Sequence, residues 1–146
     1  MAAADNKELV RTFYDEVWHK GNVDVADDVF ARDYVRHDLR ATHAAAGPEG
    51  QKQIARAFRA AFPDLQFEVQ IVIAEGDYVA ARWTARGTHS GAWGDTEPTG
   101  RSVTFSGVNI FRFESGRVAE IWNHRDDLGL QEQVGAAVFA GTPPRA

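Results

Sequence analysis

Hydrophobic residues in the first half of the chain recur every three or four positions, the spacing that places them on one face of a helix. This pattern predicts three helices and, before the third, a brief strand over residues 34–37. Asp5 or Asn6 is suited to cap the first helix, and the third begins near Pro48 and cannot continue past Pro63. The apolar faces are formed by Leu9, Val10, Phe13, Tyr14, Val17 and Trp18, by Val25, Ala26, Val29 and Phe30, and by Ile54, Phe58 and Phe62.

The second half of the chain alternates apolar and polar residues, the pattern of strands with one buried face. Turns at 75–77 and 115–116 favour antiparallel hairpins, whereas the glycine-rich stretch over 90–102 predicts a long loop. A closing helix is expected after Asp127. The alternating positions are Phe67, Val69, Ile71 and Ile73; Val79, Ala81, Trp83 and Ala85; and Val103, Phe105, Asn109, Phe111 and Phe113; the closing helix carries Leu130, Val134 and Val138.

Helices followed by antiparallel strands are typical of an α+β fold, in which helices cover one face of the sheet. A chain of 146 residues has the size of one domain, so we expect a single unit over residues 1–146 with a frayed tail at about 140–146. A curved sheet wrapped around the N-terminal helices would enclose an apolar cavity, the usual place for a small ligand.

Charge and composition exclude several classes of partner. Sixteen Lys and Arg against twenty-one Asp and Glu give a net charge of -5 without any dense basic run, so neither nucleic acid nor a membrane surface is expected as a partner. The absence of cysteine excludes disulfides, a thiolate nucleophile and Cys-bound metal. The N-terminus lacks the pattern of a signal peptide and no apolar run reaches membrane-spanning length, so a cytoplasmic protein is expected.

The segment over residues 122–126 holds the most suggestive chemistry. At the two-residue period of a strand, Trp122, His124 and Asp126 share one face, and a carboxylate beside an indole is a candidate base. Either Asp126 or Asp127 can instead cap the closing helix, and the residues alone favour a capping role for Asp126 over one in the cavity. Trp122 is equally suited to a cavity wall and to the core.

Other catalytic motifs fail on context. His124-Arg125-Asp126 matches a kinase triplet, but the phosphate-binding loop and the length of a kinase are missing. The histidines lack the spacing of a zinc site, so no metal is expected. Neither Ser90 nor Ser106 lies in a nucleophile-elbow pattern, which argues against a serine hydrolase.

A set of short motifs, in their order and spacing over nearly the whole chain, resembles the SnoaL-like polyketide cyclases and predicted ester cyclases. The resemblance implies the cone-shaped, curved α+β fold of the nuclear transport factor two-like superfamily, a homodimer built on the outer sheet face and a pocket without cofactor. The motifs are Gly47-Pro48-Glu49-Gly50, Ala61-Phe62-Pro63-Asp64-Leu65, Gly76-Asp77, Arg86-Gly87-Thr88-His89-Ser90-Gly91, Pro98-Thr99-Gly100-Arg101, residues 122–126 and Leu128-Gly129-Leu130.

The resemblance also implies a reaction. In the characterised cyclases an aspartate at the position of Asp126 is the acid and base of an intramolecular aldol ring closure. With this resemblance we favour Asp126 as the group in the cavity, where apolar walls could raise its pKa from its reference of about 3.9, and Asp127 as the helix cap. His37, His89 and Asn109 are candidate donors to an enolate oxygen. Each has a structural alternative: a surface or hydrogen-bonded role for His37, turn stabilisation for His89 and a sheet contact for Asn109. We assign Tyr14, Trp18, Phe58, Asn109, Trp122 and His124 to substrate binding.

We therefore expect a cofactor-independent enzyme acting on a small, largely apolar carbonyl compound by aldol cyclisation or a related enolisation. The chain departs from the antibiotic cyclases where Arg112 aligns with a histidine, because arginine is permanently charged and cannot exchange a proton in the same way. The alternatives are an isomerase or epoxide hydrolase on the same fold, or a non-catalytic hydrophobic ligand-binding or dimerisation domain.

Overall fold

The computed structural model describes residues 3–39 and 44–135, which form helices packed on one face of a five-stranded sheet. The first helix continues as a π-helix over Phe13–His19, and a 3₁₀ turn over Val23–Val25 precedes the second helix. The elements are α1 (Ala3–Thr12), α2 (Ala26–Val29), β1 (Phe30–Asp38), α3 (Pro48–Ala61), β2 (Gln66–Glu75), β3 (Tyr78–Thr88), β4 (Ser102–Glu114), β5 (Arg117–Arg125) and α4 (Asp127–Gln133).

The helices of the first half arise where the sequence predicts them. Val10, Phe13, Tyr14, Val17 and Trp18 are all buried, which confirms the apolar face of the first helix. The second helix is shorter than predicted, because the chain becomes extended at Phe30 and begins β1 there. Val138 and the expected tail lie outside the described residues.

The sheet has the strand order β1-β5-β4-β3-β2. Neighbours β2 to β5 pair antiparallel, as the hairpin turns predict, whereas β1 pairs parallel with β5. The α+β prediction is confirmed, with one difference in that the sheet is mixed. A parallel pair needs a long connection, and α3 with three intervening strands provides it.

Two neighbouring rows of paired residues cross the sheet and point to opposite faces. The inner face lies against the helices, and the outer face is away from them. The inner row is Val72, Ala81, Asn109, Asn123 and Asp38, and the outer row is Ile73, Ala80, Ile110, Trp122 and His37. Polar groups on three adjacent strands therefore meet at one place under the helices.

An irregularity in β5 decides which of its residues face inward. Val118 pairs with Phe113, but Glu120 pairs with Arg112, so Ala119 is an extra residue in the ladder. Such a bulge reverses the alternation from that point onward. Trp122 therefore pairs with Ile110 on the outer face, and the face carrying Trp122 and His124 is not the pocket face.

Aromatic side chains fill the space between the helices and the inner sheet face. Phe13 packs edge-on against Phe30, with ring centroids 5.1 Å apart, and against Phe111 at 6.0 Å. All three are almost completely buried. Aromatic contacts of this kind fix the helices on the sheet. No helix in the described part of the chain is long and apolar enough to cross a membrane.

Candidate active site

A narrow pocket opens between the inner sheet face and the helices. The space open to the centre of a water molecule is about 40 Å³, enough for a few waters but below the usual size of a ligand cavity. Aromatic rings occupy most of the expected cavity. Its lining comprises Phe13, Tyr14, Trp18, Arg36, Asp38, Gln51, Ile54, Phe67, Trp83, Phe105, Asn109, Asn123 and Arg125.

Asn109 is a buried polar residue at the centre of a hydrogen-bonded network in the pocket. Its Oδ1 accepts hydrogen bonds from the Tyr14 hydroxyl at 2.7 Å and from the Trp83 Nε1 at 2.5 Å. An indole can only donate, so these contacts fix which end of the Asn109 amide points toward the aromatic residues. Burial raises the pKa of Tyr14 well above its ordinary value, so its hydroxyl keeps its proton and stays a donor.

The hydrogen-bonded chain continues from Asn109 toward the pocket entrance. The Asn109 Nδ2 donates to the Asn123 Oδ1, and the Asn123 Nδ2 donates to the Asp38 Oδ1 at 3.0 Å. In each of these hydrogen bonds the donor lies on the Tyr14 and Trp83 side and the acceptor on the Asp38 side, so the series ends on the Asp38 carboxylate. Asp38 is thereby held in one orientation from inside the pocket.

A glycine in β4 makes room for this arrangement. Gly107 lies between Trp83 and Arg125 in the inner face of the sheet. A Cβ at Gly107 would approach the Trp83 Cζ2 to 2.5 Å and the backbone oxygen of His124 to 2.6 Å. Only glycine therefore lets the Trp83 indole lie flat enough over β4 for its Nε1 to reach Asn109.

Arg36 holds Asp38 from the other side. Both residues point inward from β1, and the guanidinium donates to the two carboxylate oxygens from Nε at 3.0 Å and from Nη2 at 3.1 Å. Partial burial raises the pKa of Asp38, but hydrogen bonds from Arg36 and Asn123 and the nearby charge of Arg125 outweigh it and lower the pKa below its ordinary value. Asp38 is therefore an ionised carboxylate at neutral pH, and its contribution to stability is lost only when the pH falls through this lowered pKa.

Arg125 forms a second cationic wall. Its guanidinium lies 4.6 Å from the centre of the Phe58 ring, and its Nε donates to Asp127 at 2.5 Å. The stacking places Phe58 beside the pocket lining, next to Trp18. Arg36 and Arg125 of the pocket lining are therefore each paired with a carboxylate, Arg36 with Asp38 and Arg125 with Asp127.

Asp126 does not lie in the cavity, so the expectation that places it there is wrong. It caps α4, with its Oδ1 accepting from the Gly129 backbone N–H at 2.9 Å, and its side chain is exposed. A Cβ at Gly129 would lie 2.2 Å from the Asp126 Oδ2, which shows how closely the carboxylate lies against the helix. The expectation that Asp127 is the cap is also wrong, because Asp127 pairs with Arg125 instead.

His37, Trp122 and His124 lie on the outer face, away from the pocket. The His37 ring stacks on Trp122 with centroids 5.1 Å apart, and its Nε2 lies 2.6 Å from Glu120 Oε2. His124 and Trp122 instead line an apolar groove of about 500 Å³ on that face. The assignment of Trp122 and His124 to the cavity wall is wrong, because the bulge at Ala119 turns both side chains to the outer face.

His89 is completely buried, but outside the pocket lining. Its Nδ1 accepts from the Thr99 backbone N–H at 3.2 Å, its backbone pairs with Arg101 and Gly100, and its ring packs on Phe62. These contacts tie the start of the long loop to its end. The structure therefore agrees with the turn-stabilising alternative for His89.

Replacing His89 by alanine tests this role. His89→Ala is expected to lower the free energy of unfolding by about 2–3 kcal/mol, because it leaves a cavity and an unpaired Thr99 N–H. Urea unfolding measures the change, with Glu8→Ala on the exposed side of α1 as the control, expected to stay within about 0.5 kcal/mol of wild type. An unchanged urea midpoint for His89→Ala would contradict a role of His89 in stabilising the loop.

Of the residues predicted for substrate binding, Tyr14, Trp18 and Asn109 line the pocket and Phe58 lies beside it. The sequence reasoning missed Arg36, Asp38, Gln51, Asn123 and Arg125. A usable signal existed for the first two, since Tyr34, Arg36 and Asp38 alternate along β1. Among the described residues, no group of three or more His, Asp or Glu side chains is placed to hold a metal ion.

Comparison with known proteins identifies the family. The family model of the SnoaL-like polyketide cyclases matches residues 8–134. The chain belongs to this family. The resemblance read from the sequence motifs is therefore confirmed. The match to the SnoaL-like family includes both the helices and the sheet. Among curated proteins, no match to the chain is found.

Solved structures similar to this SnoaL-like protein share its fold across almost the full chain. A candidate polyketide cyclase from Acidithiobacillus ferrooxidans is 31% identical, covers 94% of this chain and 100% of its own, and has a TM-score of 0.78. TsrD from Streptomyces laurentii is 26% identical, with coverages of 94% and 99% and a TM-score of 0.84. AclR, a candidate hydroxylase from Streptomyces galilaeus, is 28% identical, with coverages of 92% and 83% and a TM-score of 0.81.

The similar structures include proteins named for two different reactions. A cyclase-type function follows from the family. The substrate and the chemical step have to be derived from the pocket itself, since one fold commonly hosts several reactions.

Proposed function

We propose that this protein is a cofactor-independent enzyme that enolises a small, largely apolar carbonyl compound, leading to intramolecular aldol cyclisation, with Asp38 as the acid and base. The observation that carries the proposal is the chain of hydrogen bonds from Tyr14 and Trp83 through Asn109 and Asn123 to Asp38. It places one oriented, ionised carboxylate in a pocket that aromatic side chains line together with polar ones.

The reaction would proceed in two proton transfers. Asp38 takes a proton from the carbon next to a carbonyl group, and the electrons of that C–H bond form an enolate. The enolate carbon attacks a second carbonyl carbon of the same molecule, forming the C–C bond and leaving an alkoxide. The alkoxide then takes the proton back from Asp38, so the carboxylate is regenerated.

The lowered pKa of Asp38 restricts the substrate. A carboxylate whose pKa lies below its ordinary value is a weak base, so it needs an acidified carbon, such as one between two carbonyl groups. The small pocket volume points to a compact substrate or to side-chain movement on binding. Both features favour compact compounds in which the acidified carbon lies between two carbonyl groups and a further carbonyl group lies within reach for ring closure, rather than large ring systems.

Asp38 is preferred to Asp126 on position. Asp38 lines the pocket and its side chain is only 20% exposed, whereas Asp126 is exposed and bonded to a backbone N–H of α4. Removal of water strengthens the interaction of a base with a bound substrate, and only Asp38 has that advantage. The role that family resemblance implies for Asp126 is tested beside it.

Hydrogen exchange in D₂O tests the proposal with simple ketones in place of the natural substrate. Wild-type protein is expected to speed deuterium incorporation into ethyl acetoacetate, and more slowly into cyclohexanone, above the buffer rate, as followed by NMR. Because Asp38 stays ionised, this rate should persist to a lower pH than an ordinary aspartate allows. Saturable ketone binding with exchange at the buffer rate would instead indicate a binding domain.

We also propose that the outer face pairs with a second copy of this chain. Six large apolar residues are exposed on it, including Ile73 at 62% and Ile110 at 39%. Six large apolar side chains exposed on one sheet face are unfavourable in water, and a two-fold pair of identical faces would bury them together with the groove beside Trp122. The six residues are Val35, Ile71, Ile73, Tyr78, Val108 and Ile110.

Charge placed on the outer face should break this dimer. Ile110→Lys is expected to convert a dimer to a monomer, because the lysine would be buried without a partner. Light scattering after size exclusion measures the mass. Ala57→Lys adds the same charge on the exposed side of α3 and should leave the dimer intact. A wild-type monomer, or a dimer that survives Ile110→Lys, would contradict the interface.

A further inference from the structure

Gln51 is a buried polar residue in the pocket wall that takes no part in the hydrogen bonds running from Tyr14 and Trp83 to Asp38. It lies on α3, its side chain is 3% exposed, and it lines the same pocket as Asp38. Its Nε2 makes no well-formed hydrogen bond with another protein atom. A buried amide without a good partner is unfavourable, so its position in the pocket wall points to a ligand that pairs with it.

Unlike Gln51, the other neutral donors of the pocket all have hydrogen-bond acceptors. Tyr14 and Trp83 each donate to Asn109, and Asn109 donates to Asn123, which donates to Asp38. Two further orphan atoms, Asn6 Oδ1 and His89 Nε2, belong to residues outside the pocket lining. Within the lining, the unpaired buried amide is that of Gln51.

The position of Gln51 relates it to the proposed base. The Gln51 amide reaches toward the Tyr34 hydroxyl, and this weak hydrogen-bonding contact lowers the pKa of Tyr34 against the dominant effect of burial, which raises it. The Tyr34 hydroxyl in turn lies 3.5 Å from the Arg36 Nη1, and Arg36 is paired with Asp38. The amide of α3 and the carboxylate of β1 therefore border the same part of the pocket.

We infer that the Gln51 amide donates to the oxygen of the reacting carbonyl group, so that the pocket selects compounds placing a ketone or enolate oxygen against α3 and the adjacent carbon toward Asp38. This rests on the proposed function and names the substrate contact that function lacks. A donor at the oxygen stabilises the charge that develops when the carbon loses its proton. It also offsets the weakness of Asp38 as a base.

Binding of two ligands of the same shape tests the inference. Cyclohexanone has a carbonyl oxygen where methylenecyclohexane has a CH₂ group, so only the ketone can accept from Gln51. NMR titration is expected to show that Gln51→Met weakens cyclohexanone binding about tenfold and leaves methylenecyclohexane binding unchanged. Equal changes for both ligands, or none for the ketone, would overturn the inference.

Thermal unfolding of the same variant separates a ligand contact from a structural one. Gln51→Met removes an unpaired polar group and keeps its length, so the melting temperature should stay the same or rise. A clear fall would show that Gln51 serves the fold. Gln51→Leu provides a second apolar variant, for which the same two results are expected if Gln51→Met gives too little folded protein.

Failure of this inference differs from failure of the proposed function. Wild-type protein that binds cyclohexanone through Gln51 but catalyses no exchange would refute the enolising reaction and retain the oxygen site. Exchange catalysis together with identical ligand preferences in wild type and Gln51→Met would retain the reaction and refute the oxygen site.

Discussion

Asp38→Asn is expected to lower the enzyme-catalysed rate of deuterium exchange into ethyl acetoacetate about 10³-fold, because loss of a positioned general base usually costs 10²- to 10⁴-fold. The amide keeps the shape of the carboxylate and can still bond Asn123, so the pocket should stay assembled. The measurement is the initial exchange rate above buffer, at a protein concentration at which wild type is readily detected.

Asp126→Asn is the matched control for this result. Asparagine is also a good helix cap, so the variant should fold and keep its exchange rate within about twofold of wild type. If Asp126→Asn loses exchange and Asp38→Asn retains it, the base is Asp126 and the role implied by family resemblance is the correct one. A comparable loss in both variants would show that each carboxylate is needed.

Asn109→Leu is expected to lower the free energy of unfolding by about 3 kcal/mol, the largest stability effect among the changes considered. Leucine is similar in size but leaves the buried Tyr14 hydroxyl and Trp83 Nε1 without an acceptor. Urea unfolding followed by fluorescence measures the change, and Trp83 itself reports on the pocket.

A second substitution shows whether the orphaned donors cause the loss. Tyr14→Phe should cost about 1 kcal/mol in wild type, since it removes one hydrogen bond. In the Asn109→Leu background it should be neutral or stabilising, because it removes a donor that already lacks a partner. Equal costs in the two backgrounds would mean that Tyr14 and Asn109 act independently, contrary to the 2.7 Å contact between them.

The sequence predicted most elements well because burial is periodic along them. β2 is an exception, because an irregularity between Val69 and Ile71 turns Ile71 and Ile73 to the exposed face, away from Phe67 and Val69. The apolar stripe of the first helix and the alternation of Val103, Phe105, Asn109 and Phe111 both match the observed burial. Asn109 was identifiable because a polar residue interrupts an otherwise apolar inner face. Such patterns are local, so they can be read without knowing what packs against them.

The candidate site was harder to predict because its decisive features are not local. Ala119 adds one residue to β5, which moves Asn123 and Arg125 inward and Trp122 outward. A strict two-residue count along β5 therefore chose the wrong face. The parallel pairing that brings Asp38 beside Asn123 joins residues 85 positions apart, and no sequence spacing indicates it.

The choice of helix cap was a local question with a readable signal. Asp126 precedes Gly129 by three residues, and the glycine leaves space for the carboxylate against the first turn of α4. Asp127 has the basic neighbour Arg125 two positions before it and pairs with that side chain. The assignment of the base to Asp126 depended on the opposite choice.

The most direct test of the account is a titration of ¹⁵N-labelled protein with cyclohexanone, since it asks where a ketone binds. The Trp83 indole and the Asn109 and Asn123 side-chain amides lie in the inner pocket, whereas the Trp122 indole lies on the outer face beside the larger groove. We expect the signals of Trp83, Asn109 and Asn123 to shift and to saturate with one dissociation constant while the Trp122 signal does not move. Saturable shifts at Trp122 with unmoved Trp83 and Asn109 signals would contradict it.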